Sequence, residues 1–99
     1  MSREILLLVD ALAHEKNVDR EVIFTAVELA LASATKKKHD VGVDIRVEIN
    51  QETGEYEAFR CWTVLPEEEI ENPEAELTIE DEKAKGKVNN DLIKEPIPS

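Results

Sequence analysis

Lys36-Lys37-Lys38-His39-Asp40-Val41-Gly42-Val43-Asp44-Ile45-Arg46-Val47-Glu48-Ile49 is the stretch on which the fold turns. Before it, apolar residues recur at helical spacing. After it, Val43, Ile45, Val47 and Ile49 alternate with Asp44, Arg46, Glu48 and Asn50, which predicts a strand over 43–50 with one face buried. A period that changes from 3.6 to 2 within a few residues places a helical unit directly before a sheet. That order predicts the α+β class.

Reading outward towards the C-terminus, Asn50-Gln51-Glu52-Thr53-Gly54-Glu55 is a turn cluster, with Gly54 free to take a left-handed conformation. Residues 56–65 form a second strand, ended by Pro66, so the pair reads as an antiparallel hairpin. Its inward face is open between two sets: Tyr56, Ala58, Trp62 and Val64, or Phe59, Cys61 and Leu65.

Reading outward towards the N-terminus, Arg20 to Lys38 predicts a helix begun by Asp19 as N-cap and closed by three lysines, whose charge suits the negative end of the helix dipole. Its expected apolar face is Val22, Ile23, Ala26, Val27, Ala30 and Ala34, flanked by Leu29 and Leu31. Residues 3–15 predict an earlier helix with a stripe of Ile5, Leu8, Val9 and Leu12, and Asn17 and Val18 interrupt the two. The expected architecture is a head of two helices packed on a small antiparallel sheet that contains the hairpin. Phe24, Val27 and Trp62 are expected to share its core.

The last third reads differently. It has no aromatic residue, carries Pro73, Pro96 and Pro98, and holds 11 acids against 4 bases. Glu67 to Pro73 reads as an acidic connector, Thr78 to Asp81 as the start of a short helical turn ended by Gly86, and Leu92-Ile93 as the one late apolar pair. Residues 1–65 are therefore the expected compact core, and 66–99 an acidic, weakly packed extension of the same domain.

At 99 residues, 41% hydrophobic and 35% charged, the chain is one soluble domain's worth. Its start lacks the features of a secretory signal, and no apolar run is long enough for a membrane helix. A single cysteine, Cys61, excludes an internal disulfide and a multi-cysteine zinc site. These features predict a cytoplasmic protein without membrane contact.

The net charge of −11 excludes a general nucleic-acid binder, because Lys and Arg supply most non-specific affinity for phosphate. Catalytic signals are missing too. His14 and His39 read as surface residues, and the three scattered glycines make no phosphate loop. The run Glu67-Glu68-Glu69 lacks the alternating oxygen ligands of a calcium loop. The chain is expected to be no enzyme and to need no cofactor or metal.

One feature has a functional edge. Lys36, Lys37 and Lys38 read either as a dipole-matched helix end or as a basic knob that meets phosphates, and Arg46 and Arg60 on the strands extend the patch if the hairpin folds back on the second helix. The remaining alternative is an acidic nucleic-acid mimic or regulatory interaction domain. It is disfavoured because the first 40 residues are nearly neutral, whereas a mimic spreads its acids over a whole face.

Taken together, Arg3-Glu4-Ile5-Leu6, the run from Asn17 to Phe24, Glu28 to Lys38, Asp44-Ile45-Arg46-Val47, the Thr53-Gly54 turn and Phe59-Arg60-Cys61-Trp62-Thr63-Val64 resemble the N-terminal domain of the NusA family. These are bacterial factors of transcription pausing, termination and antitermination. The resemblance is dense over 2–65 and thinner beyond, through Glu76 to Glu82 and Ile93-Lys94-Glu95, and segment 83–91 departs from the family's spacing. It implies an α+β module that docks on RNA polymerase at the β-subunit flap tip beside the RNA exit channel. It also implies peripheral contact with nascent RNA through the cluster at Lys36, Lys37 and Lys38. Other transcription factors would be met through domains that this sequence does not contain.

Overall fold

The computed structural model describes residues 2–98. Helix α1 (Ser2–Lys16) and helix α2 (Arg20–Lys36) form a hairpin, followed by strands β1 (Asp44–Ile49), β2 (Tyr56–Val64), β3 (Glu76–Leu77) and β4 (Leu92–Pro96). One-turn 3-10 helices at Glu67–Glu69 and Glu82–Ala84 interrupt the last connections. The α+β reading holds: two helices pack on a small four-stranded sheet.

Asn17, at a φ of 54°, stops α1, and the Val18 N–H donates to the Ala13 carbonyl at 3.1 Å to close its last turn. Arg20 then bridges to Asp10 at 2.7 Å, tying the start of α2 to the middle of α1.

β2 is the axis of the sheet. It pairs antiparallel with β1, Val47 facing Ala58, and antiparallel with β4, Trp62 facing Ile93. It pairs parallel with β3, Val64 facing Leu77. The N–H groups of Thr63 and Leu65 donate to the carbonyls of Ala75 and Leu77, and that of Ile97 to Ala58 on the opposite side of β2. β1 and β3 thus lie end to end along one edge of β2, and β4 runs along the other. The sheet is mixed, with one short parallel pairing added to the expected antiparallel hairpin.

The hairpin turn is built as the sequence predicts. The Asn50 side-chain oxygen accepts from the N–H groups of Glu52 and Thr53, and Gly54 sits at a φ of 80°. A Cβ on Gly54 would lie 1.9 Å from the Ser2 carbonyl oxygen, so this glycine is needed both for its φ and for its contact with α1.

The core lies in two clusters. Val9, Ala13, Ile23, Phe24, Val47 and Ile49 are buried between the helices and β1, with Val27, Leu31 and Ala58 packed against them. Trp62, Val64, Ala84 and Ile93 form the second cluster, with Leu77 beside it. Trp62 is therefore buried, but it does not share the core of Phe24 and Val27. Antiparallel partners share a face, so Ala58 and Trp62 line the same side of β2, four residues or about 13 Å apart. Ala58 meets the helices and Trp62 meets the chain that returns from 66 onward.

That return differs from the weakly packed extension expected of residues 66–99. It supplies β3, β4, the fully buried Ala84 and Ile93, which faces Trp62 across the ladder. Five of its eleven acids, Glu74, Glu76, Asp81, Asp91 and Glu95, act as tethers through side-chain bonds. Glu76 accepts from the N–H groups of Glu71 and Asn72, and these bonds hold its carboxyl below the ordinary glutamate value. Glu74 holds Arg60, and Glu95 holds Lys83. The short helical turn expected from Thr78–Asp81 to Gly86 is a single 3-10 turn at Glu82–Ala84, with Asp81 as its N-cap accepting from the Lys83 N–H at 2.9 Å.

The helix faces are also rotated from expectation. Leu8 and Val22 are exposed, as are Ala26, Ala30 and Ala34. Leu6 on α1, with Phe24 and Leu31 on α2, points inward in their place. Phe24 selects the face, being the largest apolar group on α2, and its burial fixes the rotation of the helix. Glu28 confirms that orientation: its carboxylate accepts from the Ile49 N–H at 2.9 Å, on the free edge of β1.

Candidate functional site

The lysine cluster sits where α2 unwinds. The N–H groups of Lys38 and His39 donate to the carbonyls of Thr35 and Lys36 at 3.0 Å each, so the chain turns tightly and the three side chains fan from the last turn. All three lysines are exposed, and none forms an ion pair among the described residues. Three uncompensated cations on consecutive residues set a local positive field on a body whose net charge is −11.

Lys38 and His39 also line one wall of a groove of about 1330 Å³. Ile5 and Leu8 of α1, Tyr56 of the hairpin and Pro96 to Pro98 line the rest of it, with Glu4, Glu55 and Glu57 also on its walls.

Arg46 and Arg60 do not share one face with each other. Arg46 faces Phe59 across the β1–β2 ladder and Arg60 faces Ile45, so the two arginines lie on opposite faces of the sheet. Each is already engaged. Arg46 binds the carboxylate of Asp44 at 3.3 Å, two residues earlier on the same face. Arg60 donates to the carbonyl and the carboxylate of Glu74 at 3.2 and 3.0 Å, with its guanidinium carbon 4.7 Å from the Trp62 ring centre. Lys83 lies 4.9 Å from the same ring. These cations hold the second core cluster together. Of the five basic residues read from the sequence, the three lysines form no ion pair among the described residues, whereas each arginine is paired with a carboxylate.

Cys61 is fully buried, and burial, with Asp44 nearby, pushes its thiol up from the ordinary value, away from a reactive thiolate. Among the described residues no cluster of His, Cys, Asp and Glu is arranged to hold a metal ion. No helix is long and apolar enough to cross a membrane.

The helical head also exposes large apolar residues that helical spacing alone does not mark. Leu7, Leu8, Val22 and Leu29 are all at least half exposed, although helical spacing alone places Leu8 and Val22 inward. The signal that separates them was available in Phe24, whose bulk determines which side of α2 is buried.

The described residues form a small α+β domain with a basic helix end and exposed apolar residues on both helices, beside a mixed sheet. The NusA N-terminal domain family model matches residues 4–97, nearly the whole chain. The chain is 33% identical over 86 residues to the transcription termination/antitermination protein NusA of Rickettsia conorii, which covers 75% of this chain and 17% of that protein. It is 32% identical over 78 residues to the same protein of Rickettsia prowazekii, covering 79% of this chain and 15% of that protein. The solution structure of the N-terminal domain of NusA from B. subtilis superposes with a TM-score of 0.71 at 29% identity, over all of this chain and 80% of that one. The chain belongs to the NusA N-terminal domain family. It spans about a sixth of the length of the curated relatives it matches.

Proposed function

We propose that this domain docks a transcription elongation and termination factor onto RNA polymerase, at the flap tip of the β subunit beside the RNA exit channel. From there it modulates pausing, termination and antitermination. It does so without catalysis or cofactor, in the cytoplasm, by holding surfaces in place.

The observation that carries this reading is a family match over residues 4–97 combined with Lys36, Lys37 and Lys38 standing free of ion pairs. In this reading the apolar and polar groups of the helical head contact the flap. The three lysines face emerging RNA, whose phosphates they attract over about a Debye length. Arg46 and Arg60 take no part in that contact.

The test is titration of a flap-tip peptide into the 99-residue chain, followed by amide shifts. Saturable binding with perturbed helical-head amides supports docking. Absence of binding up to millimolar peptide contradicts it.

A further inference from the structure

The outward side of α2 carries a second surface. Val22, Ala26, Leu29 and Ser33 fall in one row, opposite the inward Ile23, Phe24, Val27 and Leu31. Val22 is 56% exposed and Leu29 67%. Thr25 and Ala30 flank the row, so this face bears no charge for three turns in a protein that is 35% charged.

Its two ends are charged, and oppositely. At the start of the helix stand Asp19, at the N-cap position but making no side-chain cap bond, and Glu21. At its finish stand Lys36 and Lys37. None of these four forms an ion pair among the described residues.

We propose that this face is a self-association seam, on which a second copy of the chain lays its own α2 antiparallel. Acidic start, uncharged middle and basic finish make the face complementary to its own image turned by half a revolution. A register that sets Leu29 of each copy against Ala26 of the other places a large side chain over a small one. The same register brings Asp19 and Glu21 of one copy within reach of Lys36 and Lys37 of the other, and it sets the two helix dipoles antiparallel, each positive end beside the other's negative end. One helix face buries less than the roughly 800 Å² per partner of a standard interface, so the dimer is weak and concentration-dependent. On the functional reading above, pairing covers two of the lysines and competes with RNA contact. The seam itself does not depend on that reading.

Sedimentation equilibrium of the 99-residue chain from about 10 μM to about 1 mM tests this in the range expected of so small an interface. The apparent mass should rise towards twice the monomer. Leu29→Glu, at an exposed site that leaves the fold intact, should weaken association at least about tenfold by placing a charge in the apolar seam. Lys36→Glu with Lys37→Glu should weaken it as well, and mixing this variant with Asp19→Lys, Glu21→Lys should restore association between the two unlike chains. A chain that stays monomeric at 1 mM, or a dimer indifferent to Leu29→Glu, would overturn the proposal. Should the second charge variant fail to fold, the lysine reversal alone decides the charge matching: undiminished association overturns it.

Discussion

Gly54 shows how one residue joins two parts of this domain. Its φ of 80° closes the β1–β2 turn, and the missing Cβ lets that turn rest on the first residues of α1. An alanine there meets a backbone oxygen, which cannot rotate away as a side chain would. Gly54→Ala should therefore destabilise the domain by about 2 kcal/mol or more, combining the left-handed strain with displacement of α1. Chemical denaturation of the variant checks this. The same replacement at Gly86, also left-handed at 81° but with open space around it, should cost only the backbone strain, about 1 kcal/mol. Equal losses at the two positions would show that the contact with α1 carries no energy.

At the level of the element, α2 is legible in its limits but not in its rotation. Asp19 before Arg20 and the lysines after Ala34 marked its ends to within two residues. Its middle, rich in Ala, Val and Leu almost all round, offers more than one apolar stripe, and only packing against β1 chooses between them. Phe24→Ala should accordingly cost about 3–5 kcal/mol, while Val22→Ala on the outer side stays within about 0.5 kcal/mol. Thermal melts of the two variants give the comparison, and similar losses would mean that the helix is rotated from the orientation described. β1 and β2 were readable because alternation is a local property. β3 was not: two residues carry no period, and their strand character comes from pairing with β2. β4 was hidden because Lys94, Glu95 and Pro96 look like a loop, although Pro96 suits an edge strand. The site divides in the same way. Consecutive lysines are visible in any reading of the chain, whereas the capture of Arg60 by Glu74 joins residues 14 apart and depends on the path of the return.

For the molecule as a whole, two apolar clusters share one sheet, and the second exists only because the chain comes back along β2. Deleting residues 86–99 removes β4 and Ile93 and uncovers Trp62. Unfolding of that truncated chain should lose its cooperativity or shift down by well over 10 °C, since losing a buried strand costs several kcal/mol in a domain this small. A shift of only a few degrees would restore the view of residues 66–99 as an accessory tail. The central functional claim concerns the lysines, which the fold holds out from an acidic body. The most direct measurement is an in vitro assay of RNA-hairpin-dependent pausing with the full-length factor, wild type beside Lys36→Ala, Lys37→Ala, Lys38→Ala, run across salt concentrations and next to melting curves. If the lysines face RNA, the variant stays folded with unchanged flap affinity and weakened pause stimulation, the deficit being largest at low salt, where phosphate contacts are strongest. Were the lysines only a match to the helix dipole, the variant would lose at most about 0.3–1 kcal/mol of stability per charge. Normal pausing at every salt concentration from that folded variant would contradict the role assigned to them.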